Sequence, residues 1–448
     1  MKKQVSAEGA RTNRKKAMKI KVIGAGLAGC EAAYALATRG IEVDLYEMKP
    51  ARHSPAHHSD NFAELVCSNS LKASRLDSAA GLLKEEMRRL GSVCMKAAET
   101  TAVAAGGALA VDRDLFSQTV TDIIKNHPLI NVINSEFSEI NTDEITIICS
   151  GPLTDGALAE KISQLTGNDS LSFFDAAAPI VSADSIDMSR AFCASRYERG
   201  GDDYINCPMN KAEYEEFYEA LITAERAPQK EFDVNGRVYE GCMPIEVMAS
   251  RGMDTMRFGP LKPVGLRDPS TGHRPWANLQ LRRENAEGTL FNLVGFQTNL
   301  KFGEQKRVFS LIPALHDAEF VRYGVMHRNS FINSPKLLNN DLSVKKYPNV
   351  YFAGQITGVE GYMESASSGI LAGINVFRRL NGQAMLELPN YTMIGALIGY
   401  ITDESITDFQ PMGANFGVLP PIEPKIRDKK ERYEALSNRA IMWYNNMK

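Results

Sequence analysis

The sequence predicts an α/β fold: a Rossmann-like, doubly wound sheet interrupted by an inserted α+β section. Three observations carry that expectation. A glycine-rich turn, GAGLAG at Gly24–Gly29, sits between an apolar strand and a helix-like run. A second strand–glycine–helix element, PNVYFAGQITG followed by GYMESASSGILAGINVFRRL, lies far downstream. Between them, from about Ser185 to Glu304, the texture changes to short strands, Pro and Gly turns and one clear helix. Like elements at both ends of a chain, with a foreign texture between, read as one discontinuous domain carrying an insertion. The boundaries expected are 19–185 with 305–448 for the nucleotide-binding part and 186–304 for the insertion. With 448 residues and 44% hydrophobic content, the chain is large enough for both.

The first element reads residue by residue. Ile20–Ile23 is a short apolar strand, CEAAYALATRG a helix ending at Gly40, and IEVDLYE a second strand ending in Glu47. In this context G-x-G-x-x-G is a dinucleotide fingerprint. Gly24 permits the tight turn, Gly26 admits a pyrophosphate against the backbone, and Gly29 lets the helix pack on the sheet. Ala25, Leu27 and Ala28 complete the loop, whose helix N-terminus offers N–H groups to phosphate. Glu47 is placed to accept from a ribose 2′-hydroxyl, which selects FAD or NAD over NADP at this site. The second element favours FAD. Gly354 and Gln355 end its strand, and the following helix begins with small residues, Ser365, Ser367 and Gly369 among them, that allow close backbone approach. A helix N-terminus facing a flavin ring stabilises negative charge on it. The expectation is an FAD-binding domain of the glutathione-reductase type.

Other features bound the class. The opening MKKQVSAEGARTNRKKAM is basic but lacks the apolar run of a signal peptide, so residues 1–18 read as a disordered leader. No run of eighteen apolar residues occurs, and no membrane span is expected. The seven cysteines are scattered, without a CxxC pair or zinc spacing. That suits individual thiols in a reducing cytoplasm, with no metal site. His53, His57 and His58 read as a polar loop.

In the middle section, Asn210 and Glu213 form a capping-box pattern ahead of a helix whose apolar positions are Tyr214, Phe217 and Leu221. Net charge is −3 overall, yet between Arg251 and Arg307 ten Lys/Arg face five Asp/Glu, a local +5. Such a segment fits an anionic partner. Arg251, Arg257, Arg282, Arg283, Lys301, Lys306 and Arg307 are the candidates for gripping it. Two thiols stand out. Cys242 lies between Gly241 and a Met-Pro step. Cys67 precedes Ser68, Asn69 and Ser70, capping residues that would start a helix and lower a thiol pKa. AGGALAVDRDLF at 105–116 reads either as a flavin-proximal loop or as a turn and a helix cap.

Taken together, these stretches resemble the folate- and FAD-dependent tRNA uracil-5-methyltransferases of bacteria. The motifs that carry the resemblance are GAGLAG (24–29), CSNSLK (67–72), GGALAVDR (106–113), YINCPM (204–209), EGCMPIEVMASRG (240–252), FGPLKPVGL (258–266), LVGFQTNLKFGEQKRVF (293–309), AEFVRYGVMHRNSFINSP (318–335) and AGQITGVEGYMESASSGILAGIN (353–375). They span about Lys19 to Thr407, nearly the whole folded chain. A sister family acting on the tRNA wobble uridine shares the fold and the AGQITG stretch. The Cys67 and Cys242 motifs resemble the methyltransferase.

The resemblance implies a reaction. A thiolate adds to uracil C6, C5 then attacks the methylene carbon of 5,10-methylenetetrahydrofolate, and reduced FAD supplies the electrons that turn methylene into methyl. NADPH or NADH reduces the flavin. Cys242 matches the family's nucleophile, and Cys67 its second functional cysteine. The target implied is the T-loop uridine of tRNA, and the anionic groups for the basic candidates are then the phosphates of RNA. Competing readings are the same chemistry on ribosomal RNA, a flavin oxidoreductase of a small substrate, and a non-catalytic RNA-binding flavoprotein.

Overall fold

The computed structural model describes residues 20–167, 170–176, 178–198, 201–227, 243–324 and 326–447. Both glycine-rich elements feed one sheet. Its six strands lie in the order Ser343–Val344, Tyr347–Phe352, Thr146–Ile148, Ile20–Ile23, Val43–Glu47 and Ile130–Asn134. All run parallel except the short Ser343–Val344 edge. Ile20, Val22, Leu45, Ile147, Val350 and Phe352 are fully buried, as expected of strands covered on both faces. From Ile20–Ile23 the chain proceeds to Val43–Glu47 on one side, and Thr146–Ile148 joins on the other. That reversal opens a crevice at the carboxyl ends of the strands.

Two helices line the crevice, Leu27–Ala37 and Tyr362–Leu380. They touch backbone to backbone. A Cβ on Gly369 would stand 2.1 Å from the Ala28 carbonyl oxygen, and one on Gly373 would stand 2.7 Å from that of Ala32. Every residue from Met363 to Val376 is buried, because this helix also packs on Ala79–Leu90. The small residues read from sequence as making room for a ligand serve in part to make room for a helix.

The second sheet is antiparallel, in the order Phe192–Cys193, Tyr204–Met209, Ala277–Arg283, Leu290–Leu293, Ile180–Ser182 and Phe320–Arg322. It takes one strand from each side of 186–304, so its core extends beyond that interval at both ends. Ala277, Leu279 and Leu281 face this core together with Tyr214, Phe217 and Leu221 of the helix Lys211–Thr223. That helix starts with the reciprocal capping box read from sequence: Asn210 Oδ1 accepts from the Glu213 N–H at 3.0 Å, and the Glu213 carboxylate accepts from the Asn210 N–H at 2.8 Å. The period of two in Ala277–Arg283 sends Asn278, Gln280 and Arg282 to the opposite face, toward the first sheet's crevice.

A ribbon of Ser170–Ala176 with Met326–Ile332 links the two sheets. A small sheet of Ser70–Ala73, Ala108–Val111 and Ala102–Val103 flanks the crevice. The C-terminal helix Lys429–Asn446 buries Leu436, Ala440 and Tyr444. Among the described residues no helix is long and apolar enough to cross a membrane.

Candidate active site

The crevice holds a cavity of about 440 Å³. It is built from turns that only particular residues permit. Gly24 has φ +93°, and a Cβ there would stand 2.7 Å from the Cys149 carbonyl oxygen. Gly26 caps the helix Leu27–Ala37, which no side chain caps, and nothing lies within 4 Å of where its Cβ would stand. The helix N-terminus therefore faces open space with its backbone donors and positive dipole end. Glu47 is held beside it: Oε2 accepts from the Ala25 N–H at 2.8 Å and Oε1 from the Lys49 N–H at 3.1 Å. Each carboxylate oxygen retains a lone pair for a ligand hydroxyl. Across the cavity, Gly361 (φ +123°) starts the helix Tyr362–Leu380, also without a side-chain cap. Two uncapped helix N-termini and an oriented carboxylate on one cavity fit a dinucleotide.

The cavity gathers Gly24, Ala25, Gly26, Leu27, Ala28, Glu47, Gly354, Gln355, Ser365 and Cys67 from the residues expected by sequence. Gly29 and Gly369 do not line it. A Cβ on Gly29 would stand 1.8 Å from the Gly24 carbonyl oxygen, so its role is the packing inferred from the fingerprint. Gly369 was expected at the cofactor. It lies instead in the helix crossing over Ala28, where a ligand has no access.

Cys67 does not start a helix. The chain enters the strand Ser70–Ala73, because its N–H groups are already taken. Tyr362 Oη accepts from the Cys67 N–H at 2.8 Å and from the Ser68 N–H at 3.2 Å, and lies 2.9 Å from Cys67 Sγ. With both lone pairs of the phenol oxygen engaged, its proton is directed at the sulfur. Burial, and then the neighbouring Cys67, push the Tyr362 pKa well up, so the phenol stays protonated and donates.

Three buried or half-buried guanidiniums from three elements hold the same segment. Arg113 Nη1 donates to the Leu65 carbonyl at 2.7 Å, and Arg322 Nη2 donates to that of Val66 at 2.5 Å. Arg282 donates to Asn69 Oδ1 at 2.9 Å and Ser68 Oγ at 2.8 Å. Asn69 Nδ2 in turn donates to the carbonyls of Val111 and Arg283. The carboxylate paired with this group is Glu284, in contact with Arg113. Burial pushes the Glu284 pKa up, opposed by Arg113 and Arg282. One carboxylate against three guanidiniums leaves the Cys67 segment in a positive field, which favours a thiolate.

That geometry corrects one sequence expectation. Arg282 was counted among surface phosphate grips, yet it is 6% exposed and faces Cys67. Of the others, Arg251, Arg283, Lys301, Lys306 and Arg307 are exposed. Lys301 pairs with Glu225, Arg307 with Glu304, and Arg257 stacks 3.8 Å over the Trp276 ring. Cys242 and Gly241 lie outside the described residues. The histidine loop is tied locally: His57 Nδ1 lies 2.6 Å from Ser54 Oγ, and His53 Nε2 lies 2.9 Å from Asp60. The 105–116 stretch does not line the cavity; it is a turn, the strand Ala108–Val111 and a helix cap, Asp112 accepting from the N–H groups of Asp114 and Leu115. Of the described cysteines, Cys30, Cys94, Cys149 and Cys207 are buried with thiol pKa values pushed up by burial, which leaves them unreactive.

Sequence reasoning missed Tyr362, Arg113, Arg322 and Lys84. Lys84 lines the cavity with no exposed surface, and its Nζ donates to the Leu71 carbonyl at 2.6 Å. The available signal was its position in the apolar stripe of Leu83 and Met87. Burial pushes its pKa down to about 8. Between that value and the ordinary lysine value of about 10.4, the folded state binds fewer protons than the unfolded state. Stability from this group is therefore regained as pH rises through that window, by at most about 3 kcal/mol. Thermal melts of wild type and Lys84→Met from pH 7 to pH 10 should show the difference moving in favour of wild type. A pH-independent difference would contradict a buried ammonium.

Comparison with known proteins adds the family. The model for glucose inhibited division protein A matches residues 19–384. The chain is 60% identical over 422 residues to the methylenetetrahydrofolate--tRNA-(uracil-5-)-methyltransferase TrmFO of Acetivibrio thermocellus, covering 94% of this chain and 97% of that one. It is 58% identical to the protein of the same name from Desulfitobacterium hafniense, covering 94% and 96%. Among solved structures, Aquifex aeolicus GidA in its form II crystal matches with a TM-score of 0.68 at 16% identity, covering 94% of this chain and 73% of that one. That likeness supports the fold.

Proposed function

This chain belongs to the TrmFO family of methylenetetrahydrofolate--tRNA-(uracil-5-)-methyltransferases, and from that premise we propose how its cavity serves the reaction. The enzyme moves the methylene carbon of 5,10-methylenetetrahydrofolate to C5 of a uracil in tRNA, with reduction to methyl. The observation that carries this reading is a single cavity in which a dinucleotide cradle meets the Cys67–Tyr362 pair. FAD suits the cradle: the helix N-terminus at Gly26 would hold the pyrophosphate, Glu47 a ribose hydroxyl, and the start of the helix Tyr362–Leu380 the ring side. When bound there in reduced form, FAD would supply the electron pair for methylene reduction, with NADPH or NADH as the source of its electrons.

The protein's own tasks follow. Uracil C5 becomes nucleophilic once a thiolate adds to C6; Cys242 is the residue assigned to that bond. After C5 has taken the carbon, its proton must leave so that the C6–S bond can break and the C5=C6 double bond return. Cys67 is the base assigned to that proton, kept ionised by the Tyr362 hydroxyl and the three guanidiniums. The names of the relatives specify tRNA, which favours it over ribosomal RNA or a small substrate. Action on tRNA is the ground on which we read the enzyme as cytoplasmic. The test is transfer of label from methylenetetrahydrofolate to T-arm RNA: it should require Cys242 and proceed without S-adenosylmethionine.

A further inference from the structure

We propose that an exposed aromatic and basic face on the second sheet, centred on Phe258 and Tyr197, binds unstacked nucleotides of the tRNA; this rests on the reading of tRNA as substrate. Phe258 is 84% exposed and Tyr197 is 53% exposed. Met253 and Val264, in the same stretch of chain as Phe258, are 41% and 38% exposed. Single exposed apolar residues are ordinary, whereas a contiguous cluster marks an interaction surface. Met253, Phe258 and Val264 lie in one short stretch of chain, and Tyr197 packs against its end at Gly265. Tyr197 N–H donates to the Gly265 carbonyl at 2.9 Å, and a Cβ on Gly265 would stand 2.9 Å from the Tyr197 ring. Tyr197 itself sits at φ +58°, a conformation that costs a non-glycine residue and is tolerated where function requires it.

The chemistry of the face selects its occupant. Arg257 pairs with Asp254 and stacks on Trp276, whose ring also has Lys211 Nζ at 5.6 Å. Between Arg251 and Trp276, Arg251, Arg257, Lys262, Arg267 and Arg274 face only Asp254 and Asp268. Aromatic rings among fixed cations are the pattern that binds single-stranded nucleic acid, phosphates on the cations and bases on the rings. A protein-docking patch of the same size would be less basic.

The face is also wired to the cavity. Arg196 Nη1 donates to the Val264 carbonyl at 2.9 Å, and its Nε donates to Gln280 Oε1 at 2.8 Å. Gln280 stands two residues, roughly 7 Å, from Arg282 on the same face of the same strand. Arg282 holds Ser68, the neighbour of Cys67. These bonds and one strand tie the loop that follows Phe258 to the segment carrying Cys67. That suits a target base that must leave its stack before C6 is reached.

The test uses the full-length flavoprotein and an unmodified tRNA transcript. Phe258→Ala should weaken tRNA binding about tenfold, the scale of one lost base stack, while Phe258→Trp retains it. Neither should change the melting temperature or the rate of flavin reduction by NADPH. Arg257→Gln should lower the slope of log K against log salt by about one. Wild-type affinity in Phe258→Ala would overturn the face and leave the substrate reading intact. A wild-type enzyme that neither binds nor methylates tRNA would overturn the substrate reading, and the face with it.

Discussion

Gly29→Ala should yield a protein that neither holds flavin nor melts cooperatively, although it adds a single methyl group. The added carbon would stand 1.8 Å from the Gly24 carbonyl oxygen and 3.0 Å from its carbon. Both are backbone atoms of a turn already fixed by φ +93° at Gly24 and by the Gly24 N–H donating to the Tyr46 carbonyl at 2.8 Å. Relief requires moving the helix Leu27–Ala37 off the sheet, and that helix also carries the crossing with Tyr362–Leu380. Overpacking of this kind costs about 3 kcal/mol or more, a large part of a domain's total stability. Gly26→Ala is the instructive contrast. Nothing lies within 4 Å of its added carbon, so the fold should survive, while the methyl group projects where a pyrophosphate must come close. Flavin absorbance and thermal melts of the two variants separate packing from binding. A stable, yellow Gly29→Ala protein would contradict the packing described.

Arg282→Gln should lower methyl transfer by about two orders of magnitude and leave tRNA affinity unchanged. This reverses what the sequence alone suggests, where Arg282 is one basic residue in a basic segment. The residue is 6% exposed, and its guanidinium bonds are directed at Asn69 and Ser68. Removing the cation leaves Glu284 answered chiefly by Arg113 and weakens the field on Cys67. Breaking a buried ionic group can cost about 3–5 kcal/mol, so Arg282→Lys is the companion variant. It retains the charge but cannot reproduce the fork that spans two acceptors. If Cys67 acts as a thiolate base, the acidic limb of the rate–pH profile should move to higher pH in Arg282→Gln and much less in Arg282→Lys. A loss of tRNA affinity with kcat unchanged would return Arg282 to the surface role.

The local elements were legible because local rules dictate them. The fingerprint and the capping box at Asn210 each depend on residues within a few turns of one another. The grouping of side chains around Cys67 was not legible. Tyr362 lies in a stretch already quoted for its glycines and serines, but nothing in its spacing points to a loop nearly three hundred residues earlier. Arg113 starts a helix, and Arg282 and Arg322 lie in two strands of the second sheet, far apart in sequence. Capping propensity at Ser68–Ser70 suggested a helix there, and tertiary hydrogen bonds from Tyr362 and Asn69 override it. Gly369 shows the opposite limit: small residues announce a close approach without saying whether a cofactor or another helix arrives.

The most direct test of the account follows the one-carbon unit. Enzyme, methylenetetrahydrofolate labelled in the methylene, NADPH and a T-arm RNA are incubated, and the RNA is digested to nucleosides. The account predicts label in 5-methyluridine from the T loop, none with labelled S-adenosylmethionine, and none in Cys242→Ser. It further predicts that RNA carrying 5-fluorouracil forms a covalent adduct mapped to Cys242. Label transfer that persists in Cys242→Ser, or a methyl group drawn from S-adenosylmethionine, would contradict it.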